Sequence, residues 1–295
     1  FWQANGAKRI VLARELSLRD IRAISAVVPP DLELEAFVHG AMCMAYSGRC
    51  LLSNMLTGRG ANQGECAQIC RWEYKLIERK RLRKALEEGK NVEDNYQFSL
   101  EEDNHGTYLL SSKDLCMIEH IPEIVKSGVH SLKIEGRMKN EFYVASTVKA
   151  YREAVDAYCD NPEGYEFKQE WLDTVLKISH RQYHTGFFFG KMGEQTYDVS
   201  SYIRDYDIVG IVQSYDEETK EATILQKNRV FEGDEVEVLR AHTPYFNVKL
   251  NEMFDVEKKT NTNVANRAHM IFKAKVDTPL KEKDMLIKGK KVLEL

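Results

Sequence analysis

Residues 7 to 158 alternate short β-prone runs with helical patterns, and this alternation constrains the fold more than any other feature of the chain. Arg9-Ile10-Val11-Leu12-Ala13 is apolar and strand-like. Ser17 and Asp20 then stand where a helix N-cap and a first-turn acid belong, Ile21, Ile24 and Val28 recur at helical spacing, and Pro29-Pro30 stops the helix. Leu34 to Val38 reads as the next strand, Tyr108 to Leu110 as a third and Val129 to Ile134 as a fourth. Ser112 or Asp114 is placed to cap a helix carrying Cys116, Ile118, Ile121 and Ile124, ended by Gly128. A long helix from about Glu141 to Tyr158 follows, with Tyr143, Val144, Val148, Tyr151 and Val155 on one stripe. Strand–helix alternation of this kind predicts a parallel sheet with right-handed crossovers. A complete eight-unit barrel takes about 250 residues. The expectation is therefore an α/β fold in which residues 1–160 are the C-terminal part of a TIM-like (β/α) barrel. The chain opens Phe1-Trp2-Gln3 and is already in a strand at Arg9, which reads as a chain entered midway, with the first half-barrel preceding Phe1.

The rest of the chain differs in texture. Residues 71–104 form an inserted charged segment in which Lys80, Arg81, Arg83, Lys84 and Lys90 are prominent, a solvated excursion or a polyanion-facing flap. Within it Trp72 and Tyr74 are placed to stack on bases or to anchor the flap. Residues 161–201 are expected to be a helical linker and loop. In residues 202–295, Asp207 to Ser214, Glu221 to Gln226, Glu235 to Leu239 and Met270 to Val276 are short alternating strands separated by turns such as Glu232-Gly233-Asp234. That pattern predicts a small antiparallel β-barrel domain.

Composition narrows the function classes. With 43% hydrophobic and 30% charged residues the chain is not a disordered tail. No window of 18 uninterrupted apolar residues exists, so no transmembrane helix and no membrane partner are expected. The net charge of −4 carries no global basic signature, although a local basic face remains compatible with it. No basic-then-apolar leader is present and the six cysteines are too sparse for a secreted disulfide scaffold, so the cytoplasm is the expected compartment.

Four of those cysteines, Cys43, Cys50, Cys66 and Cys70, crowd into one stretch. A strand delivers Cys43 at its C-terminal end, where barrel active sites are built. Thiols converging from several loops suit a soft metal centre, either zinc or an iron–sulfur cluster. Zinc sites favour tight Cys-x-x-Cys pairs, which this chain lacks, so a cluster is the better match, with unligated thiols the bland alternative. Proteolysis fares badly by the same reasoning. No His-Glu-x-x-His occurs, and a His39–Cys43 dyad would leave the other cysteines unexplained.

The run Glu35-Ala-Phe-Val-His-Gly-Ala-Met-Cys43-Met-Ala-Tyr-Ser-Gly-Arg-Cys50-Leu-Leu-Ser53 resembles the signature of the collagenase-like peptidase family, peptidases of unknown catalytic type. Supporting segments are Asn62 to Arg71, Asp114-Leu115-Cys116, Leu132 to Lys139, His180-Arg181 and Thr185-Gly186-Phe187. The resemblance implies one of two activities: a collagen-degrading protease, or an oxygen-independent hydroxylase. For the hydroxylases it implies a four-cysteine 4Fe-4S cluster, tRNA or another structured RNA as partner, and prephenate, a small dicarboxylate, as hydroxyl donor. Of the activities the resemblance implies, hydroxylation of a tRNA wobble uridine is the expected function, with a peptidase as runner-up and a zinc-stapled RNA-binding scaffold as a non-enzymatic third. Cys43, Cys50, Cys66 and Cys116 are the ligands the resemblance implies, with Cys70 the rival of Cys66. Glu135 and Arg137 follow a buried strand at the catalytic end, as catalytic groups or as a structural ion pair; His39 is the third catalytic candidate. Lys133, Arg137, Lys139 and Arg181 are the candidate contacts for a dicarboxylate or an RNA phosphate.

Overall fold

The structure is a computed structural model that describes residues 1–43, 45–72, 112–190 and 202–290. The expected Tyr108–Leu110 strand and most of the basic flap lie outside the described residues.

The first strand, β1 (Arg9–Val11), leads into α1 (Leu18–Ser25) through a capping box. The Ser17 hydroxyl accepts the Asp20 N–H and the Asp20 carboxylate accepts the Ser17 N–H, satisfying donors that a bare helix start would leave open. β2 (Glu33–Ala41) pairs in parallel with β1 on one side and with β4 (Ser131–Ile134) on the other. This much follows the expected strand–helix–strand order.

The third strand departs from it. Asp114–Cys116 forms β3, which runs antiparallel to the end of β2 and parallel to β5 (Tyr183–His184). The sheet is therefore mixed, with order β1-β2-β3-β5 and β4 on the other side of β2. The expected helix carrying Cys116 is displaced. A single 3-10 turn (Ile118–His120) and α3 (Ile121–Val125) occupy only its second half, and Gly128 ends it at a positive φ. Asp114 does not cap a helix because its carboxylate is engaged elsewhere, by Arg71 and by the Arg181 N–H.

Between β2 and β3 lies the short helix α2 (Leu52–Thr57). After β4 comes the long helix α4 (Glu141–Asp160), capped by the Asn140 side chain, then α5 (Gln169–Leu176). The face α4 buries differs from the predicted stripe. Tyr143, Ala150, Tyr151 and Ala154 are inside, whereas Val144 and Val148 are 44% and 47% exposed. Two polar bonds set this rotation: the Tyr151 hydroxyl donates to Val38 O (2.8 Å) and accepts from Met117 N (2.9 Å), bridging the ends of β2 and β3. Buried Ala150 and Ala154 let the helix approach closely enough to reach them.

Gly40 is the tightest point of the sheet. Its φ is +115°, and a Cβ there would lie 2.4 Å from Glu135 O. The contact is held by Glu135 N donating to His39 O at 2.9 Å, which locks the end of β4 onto the end of β2.

The C-terminal part is antiparallel β throughout. Its strands are β6 (Tyr206–Asp216), β7 (Glu221–Gln226), β8 (Val230–Phe231), β9 (Glu235–Leu239) and β10 (Phe246–Lys249). β11 (Asn251–Asp255), β12 (Thr260–Asn261), β13 (Val264–Ala265), β14 (Ile271–Lys275) and β15 (Met285–Gly289) complete it. Eight strands run in the order β10-β9-β15-β6-β7-β14-β11-β12, and β8 and β13 form a separate ribbon. The described ladder is an open path, its two end strands not paired to each other. Ile208, Leu239 and Ile287 belong to the apolar core of the first part, while Lys149 donates to Thr243 O (2.9 Å) and Lys227 pairs with Glu141. The second part is thus seated on α4.

Gly40→Ala is expected to lower stability by about 2–5 kcal/mol, overpacking and a positive φ acting together. Gly6→Ala, with φ +88° but nothing within 4 Å of the added Cβ, is expected to cost only about 1–2 kcal/mol. Denaturant unfolding of the two variants measures the difference.

Candidate active site

The C-terminal ends of the parallel strands gather the chemistry. Arg14 follows β1, Cys43 follows β2, and Glu135 and Arg137 follow β4. Because β3 is antiparallel, its beginning, Ser112 and Asp114, arrives at the same end. This is the edge at which α/β sheets build their sites.

Cys43, Cys50, Cys66 and Cys70 are free and half-buried. Burial raises the pKa of Cys43, and the neighbouring Cys50 and Cys66 raise it further. Burial likewise raises Cys70, with Cys43, Cys66 and Cys50 adding to it. Cys43 and Cys70 therefore feel the charge of the thiols around them. Ala67 and Ile69 are buried and anchor the loop, leaving Cys66 and Cys70 half-exposed. The fully buried Ser53 hydroxyl accepts Ala67 N at 3.1 Å, tying this loop to α2, which begins just after Cys50. Gln68, in a left-handed conformation, turns its N–H onto Cys66 Sγ at 3.3 Å.

Cys116 is elsewhere. It lies opposite His39 in the β2–β3 ladder, is 9% exposed, and interacts with Tyr151 and the Ile118 backbone, not with the other cysteines. Burial pushes its thiol up to about 12. Cys50, Cys66 and Cys70 are thus the thiol neighbours of Cys43, while Cys116 lies farther along the sheet, opposite His39. Cys159, at the end of α4, is exposed.

His39 makes no dyad with Cys43. Tyr151 and Tyr183 hydroxyls stand 3.4 Å from its Nδ1 and Nε2, and the Tyr143 ring is a third wall. Burial holds it neutral, its pKa lowered to about 3. It is a core histidine.

Beside the cysteines lies a network built on Arg71 and Asp114, whose side chains are 5% and 1% exposed and approach to 2.9 Å. The contact is ionic: Arg71 directs its hydrogen bonds to Tyr202 Oη (3.0 Å) and Met42 O (3.0 Å), and among the described residues Asp114 Oδ1 has no hydrogen-bond donor. Burial opposes the Arg71 charge, but Asp114, Tyr202 and Cys70 outweigh it and raise its pKa. Ser112 also donates to Met42 O at 2.8 Å, so the backbone just before Cys43 is held from two directions.

The candidate cations separate into two groups. Lys133 pairs with Glu35 at 2.9 Å over the Phe37 ring. Lys139 donates to Ser179 O over the Tyr143 and Tyr202 rings, and burial lowers its pKa to about 8. Arg181 is buried with NH1 directed at Ser112 O, and its Nε has no partner among the described residues. Arg137 is exposed beside Gly64 in the cysteine loop, its backbone N–H bonded to Glu135 Oε1 at 3.0 Å. Glu135 thus shapes the turn that carries Arg137. Four residues of this site were not singled out by the sequence: Arg14, Glu15, Arg71 and Tyr202. Arg14 and Glu15 line a cavity of about 150 Å³ that opens onto Cys43, and the position of Arg14 just past the end of β1 was the available signal.

Residues 1–198 match the family model described as peptidase family U32, and residues 204–286 match that of the peptidase family U32 C-terminal domain. The chain belongs to peptidase family U32. Among its relatives, the tRNA hydroxylation protein P1 of Bacillus subtilis is 41% identical over 98% of this chain and 65% of its own length. The tRNA hydroxylation protein P of Haemophilus influenzae is 36% identical over 92% of this chain and 65% of its own. A Porphyromonas gingivalis collagenase is 34% identical over 65% of this chain and 45% of its own. The U32 chain thus spans about 65% of the length of the first two relatives. Among the described residues no helix is long and apolar enough to cross a membrane.

At pH 8, iodoacetamide is expected to alkylate exposed Cys159 readily and to leave Cys116 unmodified until the protein unfolds, because a thiol of pKa about 12 holds almost no thiolate there. Peptide mass spectrometry measures both rates. Asp114→Ala strands the buried Arg71 charge and is expected to cost about 3–5 kcal/mol in denaturant unfolding.

Proposed function

We propose that this U32 chain is the cluster-bearing part of an enzyme that hydroxylates a tRNA uridine at the wobble position without oxygen, with prephenate as the hydroxyl donor. The observation that carries the reading is the set of four neighbouring, half-buried thiols at the C-terminal edge of the parallel strands. Two relatives named for tRNA hydroxylation, aligned over nearly all of the chain, support it.

The donor set fits an iron–sulfur cluster. Neighbouring thiolates repel one another, and a bound positive centre relieves that repulsion. Among the described residues no three His, Cys, Asp or Glu side chains converge on a single-ion position. A cluster suits such a set better than zinc does, because it attaches each thiolate to a different iron and so tolerates a wider spread. N–H donors to sulfur, from Gln68 to Cys66 and from Ala45 to Cys43, are the bonds that stabilise cluster-ligating thiolates. Cys43, Cys50, Cys66 and Cys70 would hold the group, with Cys70 in the place assigned to Cys116 on resemblance. When bound, the cluster supplies a Lewis-acidic iron that polarises the donor hydroxyl. The protein's own part is positioning. Arg71 and Ser112 fix the Met42 carbonyl and with it Cys43, Glu135 holds the turn that presents Arg137 beside the cysteine loop, and Arg137 orients a carboxylate of the donor.

The test is anaerobic purification of the full-length protein, with iron and sulfide analysis and nucleoside analysis of tRNA from a complemented deletion strain. About four irons and four sulfides are expected, lost together with the modified uridine in Cys43→Ala and Cys70→Ala and retained in Cys116→Ala. Absence of iron, with gelatin cleavage that depends on Cys43 or His39, would restore the peptidase reading.

A further inference from the structure

The cavity beside Cys43 is lined by two polar side chains, Arg14 and Glu15, whose hydrogen-bonding capacity the described residues leave partly unused. Its walls include Arg14, Glu15, Cys43, Tyr46, Ser47 and Phe187. Arg14 lays its guanidinium flat on Phe37, 3.8 Å from the ring centroid. Among the described residues it forms no ion pair and no hydrogen bond to an oxygen, which sets it apart from Arg71, Lys133, Lys139 and Arg181. Burial disfavours its charge, the neighbouring Arg71 disfavours it too, and Glu135, Cys43 and Glu15 only partly compensate. A half-buried guanidinium without an oxygen partner is costly, and the planar fork matches a carboxylate.

Glu15 is the second group. Its Oε1 accepts the Ser47 N–H at 2.8 Å, which fixes the carboxylate, while Oε2 is buried with no partner among the described residues. A buried carboxylate oxygen is an acceptor without a donor, and a ligand hydroxyl would satisfy it. Around the two lie Met42, Tyr46 and Phe187, an apolar surface suited to a ring. A cavity of about 150 Å³ has room for one six-membered ring.

We infer that this cavity binds a small cyclic hydroxy acid, its carboxylate on Arg14 and its hydroxyl donating to Glu15 Oε2, and so presents that hydroxyl beside Cys43. The assignment rests on the hydroxyl-transfer reading of the site and names the residues that recognise the donor. It separates two roles. Arg14 selects for the acid, and Glu15 selects for the hydroxyl.

Calorimetric titration of the anaerobically prepared full-length protein with prephenate and with phenylpyruvate, which has a carboxylate but no hydroxyl, tests it. Prephenate affinity is expected to fall about tenfold or more in both Arg14→Gln and Glu15→Gln. Phenylpyruvate affinity is expected to fall in Arg14→Gln alone. Iron content and tRNA binding should match the parent protein in both variants. Should Arg14→Gln lose iron, Arg14→Lys replaces it; that variant keeps the charge but loses the fork, and the same weakening of both acids is expected. Undiminished prephenate binding in the variants overturns the assignment while the hydroxylase reading stands. A parent protein that binds neither acid overturns it as well, and its iron content then decides whether the hydroxylase reading falls too.

Discussion

The site depends on one buried ion pair. Arg71 and Asp114 come from distant parts of the chain, and each also holds a further segment in place. Arg71 follows Cys70 directly and reaches the Met42 carbonyl next to Cys43, while Asp114 takes the Arg181 N–H. Charges this deeply placed are expensive to desolvate, and their mutual attraction offsets the cost only while the surrounding bonds are made. The pair therefore works as a register device: only when β3 lies antiparallel against the end of β2 can Asp114 meet Arg71. The same pair brings positive charge to Cys70, favouring its thiolate against burial.

Around it the strand ends divide the labour. β2 supplies Cys43, β4 supplies Glu135 and Arg137, and β1 supplies Arg14. Gly40 permits the close approach of β4 to β2 that brings these ends together. The aromatic wall of Tyr143, Tyr151 and Tyr183 keeps His39 neutral and out of the chemistry. Cations are plentiful at this edge, but most are spent on structure. A cation near a substrate site is informative only once its existing partners are known.

Much of this was legible in the sequence. The Ser17–Asp20 cap, the strand through Leu34 to Val38, the long helix from Glu141 and the strands Glu221 to Gln226 and Glu235 to Leu239 all carry strong local signals, and the structure has them. Asp114–Cys116 was misread because a three-residue strand has no periodicity of its own, while Ile118, Ile121 and Ile124 beyond it do fall at helical spacing. Val144 and Val148 were placed on the buried stripe by hydrophobicity alone. Their exposure is decided by the Tyr151 hydroxyl, a tertiary bond no local pattern reveals. The cysteine loops stood out by clustering, but which thiols meet is a question of strand direction. Once β3 is antiparallel, Cys116 falls beside His39, well along the sheet from Cys43. Arg14 and Glu15 were invisible for the same reason, being unremarkable until the fold sets them beside a cavity.

The proposed site is a thiolate cluster centre drawn from the two segments that flank α2, with Cys70 and not Cys116 as its fourth ligand. Anomalous diffraction at the iron edge from anaerobically grown crystals of the full-length protein tests this most directly. One iron-rich peak bonded to Cys43, Cys50, Cys66 and Cys70 is expected, with Cys116 still packed beside Tyr151. An iron peak bonded to Cys116, or no iron beside Cys43, would contradict it.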